Sequence, residues 1–128
     1  MHPQLETALV AACPNVYRLL QPRCSGGSRF ECDDGWYRLI DALSRRLESQ
    51  ARGSALRAIE VRERLGSLRF RVRGDVTDTV DRWLAAAGRA SQRTCERRGR
   101  AATLRGHPDG RVRTLCPACA TAERYVLA

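Results

Sequence analysis

Two stretches of this 128-residue chain alternate apolar and charged residues with a period of two, and only two residues separate them. They are Leu56-Arg-Ala-Ile-Glu-Val-Arg-Glu-Arg64 and Ser67-Leu-Arg-Phe-Arg-Val-Arg73, on either side of Leu65-Gly66. Successive side chains of a strand point to opposite faces, so the pattern predicts a β-hairpin with Leu65-Gly66 as its turn. Ile59 and Val61 share one face with Leu68, Phe70 and Val72. The other face carries Glu60, Arg62 and Arg64 beside Arg69, Arg71 and Arg73. One side must be covered by the rest of the fold, and the other is solvated and strongly positive.

Helices supply the cover. Trp36, Leu39, Ile40, Leu43 and Leu47 recur at helical spacing, with Arg38, Asp41, Arg45 and Glu48 on the opposite side. Asp33 or Asp34 caps this helix, because a carboxylate accepts the free N–H groups of a first turn. A second long helix runs from Thr77 to about Arg93, with Val80, Trp83, Leu84 and Ala87 as its apolar stripe. Both tryptophans are expected in the core. A short helix over Pro3 to Ala12 precedes these elements, and Gln21 to Ser28 reads as a loop from its Pro, Gly and Ser content.

The last third of the chain carries cysteines at metal-ligand spacing. Cys116-Pro-Ala-Cys119 is a CxxC pair, and about twenty residues earlier, where a partner pair belongs, stands Cys95-Glu-Arg-Arg98. Arginine occupies the fourth position and has no lone pair to give a metal. Two readings stay open. Cys95, Cys116 and Cys119, with His107 as fourth ligand, make a Cys₃His set suited to tetrahedral zinc. Alternatively, the three cysteines are small buried apolar groups in a former zinc module held by packing and charge. A hairpin over Ala101–Arg105 and Arg111–Leu115, then a short helix from Pro117 to Tyr125, complete this segment.

The expected architecture is therefore α+β: two main helices packed on a β-hairpin, with a small C-terminal zinc-ribbon-like module. Residues 1–94 form the core domain and residues 95–128 the module, together one compact unit.

Charge narrows the function classes. The 23 basic residues are all arginine, against 14 acidic ones, a formal net charge of +9. A GC-rich coding bias accounts for arginine in place of lysine but not for nine excess charges, which imply an anionic partner. The candidate anion-binding set is Arg62, Arg64, Arg69, Arg71 and Arg73 on the hairpin, with Arg97, Arg98, Arg111 and Arg113 in the module. Nothing approaches the roughly 18 consecutive apolar residues of a membrane span. The N-terminal apolar patch lacks a basic stretch before it, so a cytoplasmic setting with reduced cysteines is expected.

Catalytic constellations are sparse. The only histidines are His2 and His107, no G-x-S-x-G elbow is present, and there is no lysine for Schiff-base chemistry or a P-loop. The acidic run Glu31-Cys32-Asp33-Asp34 has a simpler task in helix capping than in acid–base chemistry.

Two further segments carry a resemblance. Phe30-Glu-Cys-Asp-Asp-Gly-Trp-Tyr-Arg-Leu-Ile40 and Val61-Arg-Glu-Arg-Leu-Gly-Ser-Leu-Arg-Phe70 resemble the F-E-C-x-D-G-W-x-x-L-I helix start and L-R-F hairpin of a group of small phage and bacterial proteins. The resemblance covers most of the chain from Phe30 onward and implies the same layout, ending in a cysteine knuckle that is incomplete here. The sequence as a whole reads as a non-catalytic binding protein that docks an anionic surface. Nucleic-acid backbone is the first candidate partner. The alternative is an antagonist of immunity or anti-defence type that covers an acidic protein. No membrane partner is expected.

Overall fold

The computed structural model describes all 128 residues, arranged as four α-helices and two three-stranded sheets. Helix α1 spans Pro3–Ala12. Proline in its first turn removes an N–H that has no helical partner anyway, and His2 Nδ1 accepts the Gln4 N–H at 3.1 Å. Turns and a loop lead to a two-residue strand, β1 (Phe30–Glu31), and a one-turn 3₁₀ helix, Asp34–Trp36. The Asp33 carboxylate accepts the Asp34 N–H at 2.8 Å and so caps this 3₁₀ turn, whereas the long helix that follows has Trp36 at its N-cap position and no side-chain cap.

Helix α2 (Tyr37–Ala51) follows, with Ile40, Leu43, Leu47 and Ala51 buried. Glu48 departs from the expected polar face, being only 3% exposed. It lies at the edge of the apolar stripe, where its carboxylate accepts the backbone N–H groups of Asn15 (3.1 Å) and Val16 (2.9 Å) and the Asn15 amide (2.7 Å). Those donors replace the lost water.

Strands β2 (Arg57–Arg64) and β3 (Ser67–Arg73) form the expected hairpin. Leu65 and Gly66 both adopt left-handed backbone, φ +50° and +82°, the geometry whose twist matches that of the flanking strands. The register pairs Val61 with Phe70 and Glu63 with Leu68 on the covered face, and Arg62 with Arg69 and Glu60 with Arg71 on the open one. One expectation fails here: a bulge between Ala58 and Glu60 takes Ile59 out of register. Ala58 is fully buried in its place. Strand β1 adds in parallel to β2, giving the order β1-β2-β3.

Helix α3 (Asp78–Ser91), capped by the Thr77 hydroxyl that accepts the Val80 N–H at 3.2 Å, packs on β3 and α2. The main core gathers 18 buried residues from α1, α2, the sheet and α3. Trp36 is fully buried. Trp83 is only half-buried and, with Leu39, Ala42 and Ala86, lines an apolar groove of about 350 Å³ between α2 and α3. The small alanines that bring the helices close also leave the indole edge open.

The C-terminal residues form a turn at 95–99, a hairpin of β4 (Thr103–Gly106) and β5 (Val112–Leu115), helix α4 (Pro117–Glu123) and a last strand, β6 (Val126–Leu127), on the far side of β4. Their small core is Cys95, Leu115, Cys116, Cys119, Ala120 and Tyr125. Hydrogen bonds seat this module on the main core: Gly35 N–H to the Glu96 carbonyl (2.7 Å), Trp36 Nε1–H to the Thr94 carbonyl (2.8 Å) and the Thr114 hydroxyl to the Gly66 carbonyl (2.6 Å). No helix is long and apolar enough to cross a membrane.

Candidate functional site

Cys95, Cys116 and Cys119 are all buried, and their sulfurs lie within 4.8 Å of one another. Two local structures bring them together. Cys95 opens a tight turn in which the Gly99 N–H donates to the Cys95 carbonyl (2.8 Å) and the Cys95 N–H to the Arg100 carbonyl (2.7 Å). Gly99 has φ +73°, a backbone that suits glycine at this bend. Cys116 and Cys119 stand at the start of α4, immediately after β5, rather than in a second hairpin turn. A tetrahedral zinc with Zn–S near 2.3 Å separates its sulfurs by about 3.8 Å, so this cluster fits such an ion.

The thiols are tuned unequally. The Cys119 backbone N–H and, more weakly, the neighbouring thiols favour the Cys116 thiolate and hold that thiol low, at about 7. Burial pushes the Cys119 thiol up to about 11. The other cysteines play no part in the cluster. Burial pushes Cys13 up to about 11 and Cys32 up to about 12, so both stay protonated, while Cys24 sits on an exposed loop. No cysteine is disulfide-bonded.

His107, the expected fourth ligand, is not brought into the cluster. It sits at the β4–β5 turn, where Nδ1 lies 2.9 Å from Asp109 Oδ1 and accepts the Asp109 N–H at 3.2 Å, and its ring packs 5.0 Å from Tyr125. Arg98, at the position of the missing cysteine, is exposed and has no carboxylate within 4.0 Å.

The arginines of the module divide. Arg97 makes a two-pronged pair with Glu123 (3.1 and 3.0 Å) and a third contact to Asp33 at 3.0 Å. The Glu123 hydrogen bonds raise its pKa further and fix it as a cation. Arg113 reaches Glu96 at 2.7 Å. Glu96 is 2% exposed and also accepts the Asp33 N–H at 3.1 Å. Burial pushes the Glu96 carboxyl up from its ordinary range, and Arg113 pulls it back only in part. Arg111 is paired with Asp109 at 2.6 Å. Arg97, Arg111 and Arg113, expected as anion contacts, are thus each paired with a carboxylate, Arg97 and Arg113 largely covered by the protein and Arg111 at the exposed hairpin tip. No periodicity or spacing singles out Glu96, whose partners Arg113 and Asp33 come from distant segments.

The hairpin arginines are placed differently. Arg62, Arg64, Arg69, Arg71 and Arg73 share the uncovered face of the sheet, joined by Arg23 from the 21–28 loop. Two carboxylates lie among them. Glu60 contacts Arg69 at 2.9 Å, Arg23 at 3.4 Å and Arg71 at 3.9 Å, and Glu31 contacts Arg23 at 3.2 Å. Arg62, Arg64 and Arg73 have no carboxylate within 4.0 Å. Alternate residues along a strand lie about 6.6–6.8 Å apart, so Arg62 and Arg64, and Arg69, Arg71 and Arg73, form two parallel rows of guanidinium groups. Arg23 was missed at the sequence level because its loop gives no register to place it.

No family model matches the chain, and neither a curated protein nor a solved structure matches it at a significant level.

Proposed function

We propose that this chain is a small, non-catalytic binding protein that docks on nucleic-acid backbone through the β2–β3 face. In this reading a zinc ion on Cys95, Cys116 and Cys119 staples the C-terminal, zinc-ribbon-like module. The observation that carries the proposal is the placement of charge. Six arginines stand against two glutamates on one uncovered sheet face, whereas Arg97 and Arg113 of the module are neutralised by largely covered carboxylates and Arg111 pairs with Asp109 at the surface. Like charges so close repel one another, and a row of phosphates relieves that repulsion. Guanidinium forks match phosphate oxygens bidentately.

The face is a sheet of arginines with no helix presented for the major groove and no exposed aromatic side chains among them. Backbone docking with little sequence preference follows. The proposed resemblance to small phage and bacterial proteins bears on the layout and adds little about function.

The test is equilibrium binding to a random-sequence duplex and to a single strand at low salt, comparing the wild type with Arg69→Glu/Arg71→Glu. Arg71 is exposed but Arg69 pairs with Glu60 at 2.9 Å, so folding of the variant is checked by circular dichroism, and the affinity of the folded variant is expected to fall by well over tenfold, because two attractive contacts become repulsive. Unchanged affinity in the folded variant would move the interface elsewhere. Absence of any binding by the wild type would replace nucleic acid by an acidic protein surface as the partner.

A further inference from the structure

We infer that the Cys95, Cys116 and Cys119 centre holds its metal with three protein thiolates and one exchangeable ligand from outside the chain, and that an external thiolate is the class of ligand it takes. The inference rests on the metal reading above and extends it to the fourth coordination position.

Four observations point the same way. Three sulfurs converge within 4.8 Å, and no histidine or carboxylate joins them. The two carboxylates nearest in sequence to the cysteines point elsewhere: Glu96 to Arg113 and the Asp33 N–H, Glu123 to Arg97. His107 is engaged by Asp109 and Tyr125 at the hairpin tip. The turn that presents Cys95 ends on Arg98 and Gly99, both exposed, while the three cysteines are buried. Arg98 thus stands exposed three residues after Cys95, where a second CxxC pair would carry its other cysteine.

Structural zinc sites close the shell with four protein ligands, and sites with three leave the fourth to water or an incoming group. A three-thiolate set is soft and favours a further sulfur donor over a carboxylate. The exposed Arg98 cation, three residues from Cys95 and free of any carboxylate within 4.0 Å, favours an anionic ligand over a neutral one. In the exchange, the external thiol loses its proton to solvent, its sulfur takes the metal's fourth position, and the bound water leaves. Nothing is oxidised or reduced.

Cobalt(II) replaces zinc as a visible probe, under anaerobic conditions and in a Cys24→Ser background that removes the one exposed thiol. One equivalent of cobalt should bind with a three-thiolate charge-transfer spectrum. Added 2-mercaptoethanol should then shift the d–d bands in a single saturable step and raise the charge-transfer intensity toward that of four thiolates. Arg98→Cys should show the four-thiolate spectrum without added thiol and be insensitive to it. Cobalt bound at one equivalent with a spectrum that thiol leaves unmoved, or cobalt stripped off by thiol, would overturn the open position while leaving the metal site intact. Failure of the wild type to take up cobalt, with Arg98→Cys binding it, would overturn the metal reading itself.

Discussion

Gly35→Ala should destabilise the protein by about 3 kcal/mol, although alanine is the better helix former. Gly35 lies in the 3₁₀ turn ahead of α2, and its N–H donates to the Glu96 carbonyl at 2.7 Å. A methyl group there would stand 2.1 Å from the Cys95 carbonyl oxygen, 2.4 Å from that of Glu96 and 2.5 Å from the Glu96 carbonyl carbon. All three are backbone atoms, so no side chain can swing aside, and the 95–99 turn must lift off the core. Overpacking costs about 1–3 kcal/mol, and the upper end applies here. The lost hydrogen bond adds about 1 kcal/mol, and the better helix propensity of alanine returns about 1 kcal/mol. With an unfolding entropy near 2.1 cal/mol/K per residue, the melting temperature should fall by roughly 10 °C. Thermal unfolding followed by circular dichroism measures it. Gly88→Ala in α3 is the control: no heavy atom lies within 4 Å of the added methyl, so it should stabilise by about 0.5–1 kcal/mol. A Gly35→Ala protein as stable as the wild type would refute the docking of the module on the core described above.

The two tryptophans should separate in denaturant unfolding. Trp36→Ala should cost about 3–5 kcal/mol, because a fully buried indole and its bond to the Thr94 carbonyl are lost. Trp83→Ala should cost about half as much, since that ring is already partly in water. Elemental analysis of protein purified without chelator should find about one zinc per chain, and Cys116→Ser should abolish it.

How much of this was legible in the sequence follows from the range of each interaction. The hairpin and helices α2 and α3 were readable because their signals are periodic and local, from Val61 and Phe70 on one strand face to Ile40 and Leu47 on one helix face. The bulge at Ile59 leaves only a faint trace, two successive apolar residues at Ala58-Ile59 where the alternation slips by one, and a residue as small as alanine does not mark which of the two faces the core. Strands β1 and β6 are two residues each, too short to show a period. The ion pairs were the least readable. Arg97 meets Asp33 across 64 residues, and Glu96 takes the N–H of that same Asp33 across 63. Spacing rules also placed the three cysteines together correctly, yet could not tell that His107 has a nearer partner in Asp109, two residues on.

The central claim is that the β2–β3 face neutralises phosphates, and the salt dependence of duplex binding tests it most directly. Glu60 already occupies part of the face, leaving about four arginines free to displace counterions. At roughly −0.9 per phosphate, the slope of log affinity against log salt should lie between about −3 and −5. Arg64→Glu/Arg73→Glu, which removes two exposed arginines with no carboxylate within 4.0 Å, should flatten it by about two contacts. Binding that does not vary with salt, or no binding at the lowest ionic strength by folded protein, would contradict the account.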